Sequence, residues 1–263
     1  MEIKGKMAKL TAVIIAKNEE TRIKKCLESL CWVEEIIVID DCSTDNTVKI
    51  AKDAGARVIV HKSDFNFDFQ RNLGIESASG EWILQLDVDE VIPENLKKEI
   101  LNVVSRPGQF AAYEFRRNNC FLGHFLICES QTYYIKLFRK DKARYIGNNV
   151  HEILKVDGLV GRIHPYIEHY NLDSISQFLE RQNVYTDREA QEILRTKGII
   201  SKRELVYKLR IKSIKLFFKY YFKKKGCKDG LYGLVYSLLM SVHNILLYAK
   251  YWELIKDKLE EKK

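Results

Sequence analysis

Short apolar runs alternate with amphipathic stretches over the first hundred residues of the 263-residue chain. Four runs rich in Val, Ile and Leu predict strands at 10–16, 35–40, 56–61 and 82–86, and the first two are typical of buried strands. The stretches between them place apolar residues at helical spacing and predict helices at 19–30, 44–54 and 69–78. Ser43 or Thr44 would cap the second helix, and Gly55 would end it. This order predicts an α/β fold with a mostly parallel, doubly wound sheet.

The pattern changes after Pro107. Two further runs predict strands of a mixed sheet, at 110–116 and 132–138, and the histidines at 151, 164 and 169 fall in or near segments without a clear period. From Asp173 onward the spacing predicts helices only, at 174–195, 201–223 and 231–256. We therefore divide the chain into regions 8–105, 106–172 and 173–263.

Polar residues follow three of the predicted strands at their carboxyl ends, where ligands bind in doubly wound sheets. Asp87 and Asp89 come directly after the fourth strand, and two carboxylates at this spacing can turn toward one cation. Hard oxygen ligands suit Mg²⁺ or Mn²⁺, which would also bridge diphosphate oxygens and neutralise the charge on a leaving diphosphate. A solvated acidic turn is the alternative for the D-x-D sequence taken alone.

Other polar residues offer further chemistry. Asp41 ends the second strand and can accept a hydrogen bond from a base or ribose, or serve a helix cap and turn. Arg71 begins a helix that faces the same edge and suits a diphosphate, or else a surface salt bridge. The neighbours His151 and Glu152 could deprotonate an acceptor hydroxyl, although the dipeptide alone favours packing. His169 is either a metal ligand or a core histidine.

Composition narrows the class of protein. Hydrophobic residues make up 46% of the chain and charged residues 30%, which excludes a disordered polypeptide. Neither G-x-G-x-x-G nor G-x-x-x-x-G-K-[ST] occurs, so neither a dinucleotide-binding fold nor a P-loop is supported. The six cysteines form no C-x-x-C pair, and no secretory signal is visible. We therefore expect a reducing, cytoplasmic location.

The net charge of +8 is concentrated in the last third of the chain. The stretch 212–225 interleaves aromatic and cationic residues, which suits an anionic membrane leaflet or a solvated helix face with a buried aromatic stripe. Residues 231–249 contain no Lys, Arg, Asp or Glu and reach the length of a transmembrane candidate. The polar residues within them favour a core helix or a helix lying in the membrane interface.

As a set, VIIAKNEE (13–20), EIIVIDDCSTDNT (35–47), FQRNLGI (69–75) and GEWILQLDVDE (80–90) resemble family 2 glycosyltransferases, which have the GT-A fold. Later segments resemble the branch that includes lipopolysaccharide-core β-1,4-glucosyltransferases, namely FLGHF (121–125), IKLFRK (135–140), NVHEI (149–153), IEHY (167–170) and KKKGCKDGLYGL (223–234). The chain departs from the family pattern where Ile15-Ala16-Lys17 replaces Pro-Thr-Tyr and where His151-Glu152 replaces Glu-Asp.

The resemblance implies a role for each region and for eleven residues. Region 8–105 would bind the nucleotide sugar, 106–172 would bind the acceptor, and 173–263 would form a helical extension. Glu152 would be the catalytic base with His151 as its neighbour, and Gly123 would lie in the acceptor loop. The donor would contact Ala16, Asn18, Glu19, Asp41, Arg71 and Asp87, and a divalent metal, Mn²⁺ or Mg²⁺, would bind Asp89 and His169.

The implied reaction is a single displacement with inversion, in which a hexose from a UDP-sugar passes to a cell-envelope glycan or glycolipid such as lipopolysaccharide core. We expect a cytoplasmic enzyme, peripheral on the inner face of the membrane and in contact with anionic lipid, with no nucleic-acid partner. A metal-dependent nucleotidyltransferase is one alternative, although it would usually show a Gly-rich phosphate loop. A nucleic-acid-binding protein that uses the basic tail is another, although it would leave the acidic clusters without a role.

Overall fold

The computed structural model of the protein describes residues 9–63, 67–106, 108–130, 132–147 and 153–260. These residues form two compact units. The first unit contains the described parts of 9–117 and 132–170, and the second contains those of 118–130 and 171–260.

Four parallel strands form one half of the sheet in the first unit. They are β1 (Leu10–Ala16), β2 (Glu35–Asp40), β3 (Arg57–Val60) and β4 (Trp82–Asp87). Their order is β3-β2-β1-β4, and Ile14 of β1 lies opposite Val38 of β2 and Leu86 of β4. These three side chains are fully buried, because a parallel sheet is covered on both faces. The apolar runs thus correctly predict the four strands, although β3 lies at the edge of the sheet and its residues are exposed or half-buried.

The other half of the sheet is antiparallel. The remaining strands are β5 (Glu90–Val91), β6 (Phe110–Phe121), β7 (His124–Phe125), β8 (Tyr133–Arg139), β9 (Ala143–Tyr145), β10 (Leu154–Val156) and β11 (Leu159–Leu172). The antiparallel half follows β4 in the order β8-β6-β11-β5. Strands β9 and β10 form a separate antiparallel pair, and β7 pairs with the end of β6 in the second unit.

Four helices belong to the first unit: α1 (Ile23–Glu28), α2 (Thr47–Asp53), α3 (Phe67–Ser77) and α4 (Glu94–Ser105). Helix α3 packs closely on β1, since a Cβ added at Gly74 would lie 2.3 Å from Val13 Cγ1. Helix α1 is shorter than predicted, because residues 20–22 form a turn. The predicted end of α2 is confirmed by Gly55, which has a φ of +83°. The prediction that Ser43 or Thr44 caps α2 is wrong, since the cap residue is Asn46.

The prediction that His164 and His169 lie in or near irregular segments is wrong, because both residues belong to strand β11. Along this strand Ile163, Ile167 and His169 are buried at alternate positions, as expected for a strand with one packed face. Pro165 stands in the middle of that alternation and hides it in the sequence, because proline is uncommon inside strands.

The second unit is mainly helical. Its helices are α5 (Ile175–Lys197), α6 (Lys202–Tyr207), α7 (Ser213–Phe218) and α8 (Gly230–Glu260). Ser174 and Ser201 cap α5 and α6, since their hydroxyl oxygens accept hydrogen bonds from the N–H groups three residues later. Two π-helical segments flank α7, at Lys208–Lys212 and Lys219–Lys223.

A buried carboxylate joins distant parts of the second unit. Asp229, which is 4% exposed, precedes α8. It accepts hydrogen bonds from the backbone N–H groups of Ile127 at 3.0 Å and Cys128 at 3.3 Å. These two residues belong to the 3₁₀ turn Ile127–Glu129, which is about a hundred positions earlier in the chain. Residues 118–130 are thus fastened to the C-terminal helices.

Candidate active site

The carboxyl ends of β1, β2 and β4 meet at one edge of the sheet. Ala16 is the register partner of Asp40, and Ile15 is the partner of Asp87. The backbone N–H of Asp41 donates to the carbonyl of Ala16 at 2.8 Å. The three polar clusters that follow these strands in the sequence therefore lie at the same edge of the first unit.

The loops that follow β1 and β2 are hydrogen-bonded to each other. Asn18 has a φ of 53°, its N–H donates to Ser43 Oγ at 2.8 Å, and its Oδ1 accepts from Thr44 N–H at 2.8 Å. The N–H of Glu19 donates to Thr47 Oγ1 at 2.8 Å. Ser43 and Thr44 are thus used between loops, which explains why neither caps α2.

Asp41 is a buried carboxylate with a well-defined environment. It is 3% exposed and accepts hydrogen bonds from Ser63 N–H at 2.7 Å, Ser63 Oγ at 2.9 Å and Lys17 Nζ at 2.9 Å. Burial by itself raises the pKa of Asp41, but the Ser63 N–H and Lys17 outweigh it, so the pKa is lowered. The side chain is therefore anionic at neutral pH.

Asp87 lies at the end of β4 among three cations. Its Oδ1 accepts from Arg71 at 3.2 Å, and its Oδ2 accepts from Arg117 at 2.5 Å and from Lys136 at 3.0 Å. Burial tends to raise the pKa of Asp87, but the charges of Lys136, Arg71 and Arg117 hold it well below its ordinary value of 3.8.

Glu90 completes this cluster from β5. Its carboxylate is fully buried and lies 2.5 Å from Arg117 Nε and 2.7 Å from Lys136 Nζ. It also accepts from the backbone N–H of Asp87 at 2.8 Å, which fixes the turn after β4. With Arg71, three cations face two carboxylates, so these five side chains carry one positive charge before the neighbouring Asp89, which also faces Arg117, is counted. Three cations held close together suit a phosphate-bearing ligand.

The sequence predicted Arg71 and Asp87 but not Arg117, Lys136 or Glu90. Lys136 lies in a mostly apolar strand, and the sequence of such a strand does not show which of its side chains face the interior. Only the pairing of β8 with both β4 and β6 carries Lys136 into the interior, where it is 5% exposed. The one available indication was the position of a lysine between Ile135 and Leu137.

Asp89 and His169 lie side by side. Strand β11 pairs with β5 so that His169 is opposite Glu90, and His169 Nε2 is 3.3 Å from Asp89 Oδ1. Burial raises the pKa of Asp89, but the hydrogen bond from His169 outweighs it and the pKa is lowered. No cluster of three or more Asp, Glu, His or Cys suited to a metal ion occurs within the residues that the structure describes.

Three further site residues are predicted from the sequence. His151 and Glu152 lie outside the described residues. Gly123 belongs to the second unit and forms the turn between β6 and β7 with Leu122, where φ is +81° and +52°, respectively. The N–H of Leu122 donates to the carbonyl of Leu172 at 2.9 Å, which anchors this turn.

The chain was compared with known proteins. Residues 11–155 match the glycosyl transferase family 2 domain. A protein named uncharacterized glycosyltransferase from Rickettsia felis is 30% identical over 96% of this chain and 93% of its own length. The lipopolysaccharide core biosynthesis glycosyltransferase LpsC of Rhizobium meliloti is 25% identical over 93% of this chain and 92% of its own.

Among solved structures, glucosyl-3-phosphoglycerate synthase from Mycobacterium tuberculosis, in complex with Mn²⁺, UDP and glucosyl-3-phosphoglycerate, has a TM-score of 0.45 at 16% identity. The match covers 74% of this chain and 82% of that one. The domain match spans more than half of the chain and confirms the resemblance and the predicted α/β fold class of GT-A type. The protein therefore belongs to glycosyl transferase family 2.

Proposed function

We propose that this family 2 glycosyltransferase is an inverting enzyme that moves a hexose from a UDP-sugar to a cell-envelope glycan or glycolipid. One observation carries the proposal: Asp41, Asp87 and Asp89 follow strands whose carboxyl ends meet at one sheet edge, and three cations, Arg71, Arg117 and Lys136, surround Asp87 there. Anionic acceptors and cations in one place suit a ligand that carries both hydroxyl groups and phosphates.

The donor would bind at that edge. We assign the nucleoside to the backbone near Ala16, to the loop of Asn18 and Glu19, and to Asp41, whose ionised carboxylate accepts from a base or ribose. Asp87 would approach the ribose and the sugar. Arg71 would approach the diphosphate, because its guanidinium is already held at the site by Asp87. The cations that surround Asp87 would stabilise the charge on the leaving diphosphate.

A divalent metal fits Asp89 and His169. The two side chains are 15% and 11% exposed, their nearest atoms are 3.3 Å apart, and the lowered pKa of Asp89 keeps this ligand ionised. A carboxylate and an imidazole suit Mn²⁺, and diphosphate oxygens would supply further ligands. The ion would neutralise charge on the leaving group.

The acceptor hydroxyl would attack the anomeric carbon while the diphosphate leaves, so that configuration inverts and no covalent enzyme intermediate forms. Glu152 would take the hydroxyl proton, with His151 as its neighbour, and Gly123 would lie in the acceptor loop. Region 8–105 would then bind the donor and 106–172 the acceptor, with 173–263 as the helical extension.

The relative LpsC supports an acceptor in lipopolysaccharide core, since its name places it in that biosynthesis. Such an acceptor is assembled where nucleotide sugars are available, and we assign the enzyme to the cytoplasm at the inner face of the membrane. Family membership favours sugar transfer over a nucleotidyltransferase or a nucleic-acid-binding protein.

The test is a donor screen with purified protein, Mn²⁺ and a panel of nucleotide sugars, in which nucleotide release is measured. We expect release from a UDP-hexose and its loss in Asp89→Ala. Asp53→Ala, which removes an exposed carboxylate at the end of α2, is the matched control and should release nucleotide at the wild-type rate. Undiminished nucleotide release by Asp89→Ala would show that Asp89 does not bind a metal needed for the reaction. Thermal stabilisation by single-stranded DNA but not by UDP with Mn²⁺ would reject the proposal.

A further inference from the structure

One face of the second unit exposes apolar side chains in a column. Ile211, Ile214, Phe218 and Phe222 are 45%, 56%, 53% and 56% exposed. They follow one another at intervals of three or four residues along α7 and its π-helical flanks. The rings of Phe218 and Phe222 stack with centroids 5.7 Å apart, so the column is continuous there. Exposed apolar residues grouped in this way mark an interaction surface.

Lysines accompany that column. Lys215, Lys219 and Lys223 each follow one of the apolar residues by one position, and all three are exposed. We call the four apolar residues and these three lysines the basic aromatic face. The surrounding stretch 202–228 contains eleven Lys and Arg residues and a single acid, Glu204. The face therefore presents both exposed apolar side chains and positive charges.

The opposite side of the same segment is fastened to α8. Ser213 is buried, and Asn244 Nδ2 donates to Ser213 Oγ at 2.9 Å and to the carbonyl of Lys208 at 2.8 Å. Phe217 and Tyr221 are half-buried on that side and stack on each other. The predicted buried aromatic stripe in 212–225 is thus only half-buried, and Phe218 and Phe222 are exposed.

Helix α8 packs against other helices of this unit along one side. The segment Gly226–Asp257 is long and apolar enough to cross a membrane by length and composition alone. However, Tyr251 is fully buried, its hydroxyl donates to the carbonyl of Gly198 at 2.6 Å, and Tyr248 and Ile255 belong to the same buried cluster. One side of α8 is therefore used for packing within the unit, as in a helix that lies beside a membrane.

We propose that the basic aromatic face binds an anionic phospholipid surface, with Phe218 and Phe222 at the acyl boundary and the lysine ammonium groups at the lipid phosphates. Charge complementarity selects this occupant, since a nucleic acid would use the lysines but leave the aliphatic side chains exposed to water. The proposal rests on the assignment of the enzyme to the inner face of the membrane and deepens it, because it names the residues and the class of lipid that hold the enzyme there.

The experiment is vesicle flotation with the full chain, comparing phosphatidylcholine vesicles with vesicles that contain phosphatidylglycerol. We expect binding to the anionic vesicles that falls as salt rises. Phe218→Ser with Phe222→Ser should weaken binding at least tenfold. Replacing Lys215, Lys219 and Lys223 by Gln should weaken it roughly hundredfold, because each lysine near an anionic surface contributes about a fivefold factor.

Matched controls lie elsewhere on the surface. Leu179→Ser with Val184→Ser removes exposed apolar residues from α5, and replacing Lys49, Lys52 and Lys98 by Gln removes the same charge from the first unit. Both control proteins should bind vesicles like the wild type. Circular dichroism confirms folding, and UDP binding by each variant should equal that of the wild type, which separates this test from that of the donor site.

Three results would overturn the proposal. The first is equal binding of the wild type to both kinds of vesicle, or unchanged binding by the Phe218 and Phe222 variant. The second is a wild-type dimer without lipid that the same variant converts to a monomer in sedimentation, which would identify a second copy as the occupant. The third is loss of single-stranded DNA binding in the lysine variant while vesicle binding persists.

Discussion

Replacing Glu90 by Gln changes one charge at the most buried point of the active-site cluster and almost no volume. The wild-type carboxylate is fully buried and lies 2.5 Å from Arg117 Nε and 2.7 Å from Lys136 Nζ. A glutamine side chain keeps one oxygen but directs an NH₂ group toward a cation. The cluster charge then rises from one positive charge to two, with no solvent beside Glu90 to compensate.

The expected cost follows from that burial. Removing one partner of a buried ion pair costs about 3–5 kcal/mol, because the remaining charge is left without compensation. Asp87 still contacts both Arg117 and Lys136, so we expect the lower end, about 3 kcal/mol. For a protein of this size such a loss lowers the Tm by about 6–12 °C.

Lys136→Met is the matched comparison, since it removes charge from the same cluster with the opposite sign. Two arginines then face two carboxylates and the cluster is neutral. Both Asp87 and Glu90 keep Arg117 as a partner, so this variant should lose less stability than Glu90→Gln.

Urea unfolding of the three proteins, followed by circular dichroism and tryptophan fluorescence, measures both losses. The order of the two variants is the decisive result, because it depends on the charge count and not on the absolute energy of any one contact. If Lys136→Met were the less stable variant, or if Glu90→Gln lost under 1 kcal/mol, the account of a cationic cluster balanced by Glu90 would be wrong.

Three further predictions follow. Gly74→Ala should cost about 1–3 kcal/mol, because its Cβ would lie 2.3 Å from Val13 Cγ1, whereas Gly108→Ala meets no atom within 4 Å and should unfold like the wild type. The lowered pKa of Asp41 contributes stability that is present above its ordinary value of 3.8 and lost as pH falls below it; melts from pH 7 to 3 should therefore show a smaller acid-induced loss in Asp41→Asn. His169→Ala should raise the Mn²⁺ concentration needed for stabilisation by UDP about tenfold or more, and an unchanged requirement would exclude it as a ligand.

The parallel half of the fold could be predicted because each of its strands is indicated by a pattern within one short stretch of sequence. Each run, such as 10–16, is short and mostly apolar, as is typical of a strand in a parallel sheet. The edge where Asp41, Asp87 and Asp89 meet follows from the same pattern, since parallel strands bring their carboxyl ends together.

The rest of the site depends on pairings between residues far apart in the sequence. Lys136 and Glu90 are 46 positions apart, and nothing near either residue indicates that they meet. The contact between Asp89 and His169 requires the antiparallel pairing of β5 with β11, and Pro165 conceals β11 as a strand. The sequence does not predict the cap of α2, because the Ser43 hydroxyl and the Thr44 N–H form hydrogen bonds with Asn18 instead.

The carboxylate of Asp229 bears on how the protein can be divided for expression. A shortened polypeptide that stops at residue 172 would retain Ile127 and Cys128 but lose their common acceptor, and both backbone N–H groups would lose their hydrogen-bond partner. The glycine turn at 122–123 stands only a few residues away in the chain. Removal of the C-terminal helices would thus disturb residues 118–130, which come much earlier in the chain. A fragment for expression therefore has to contain both these residues and the helices.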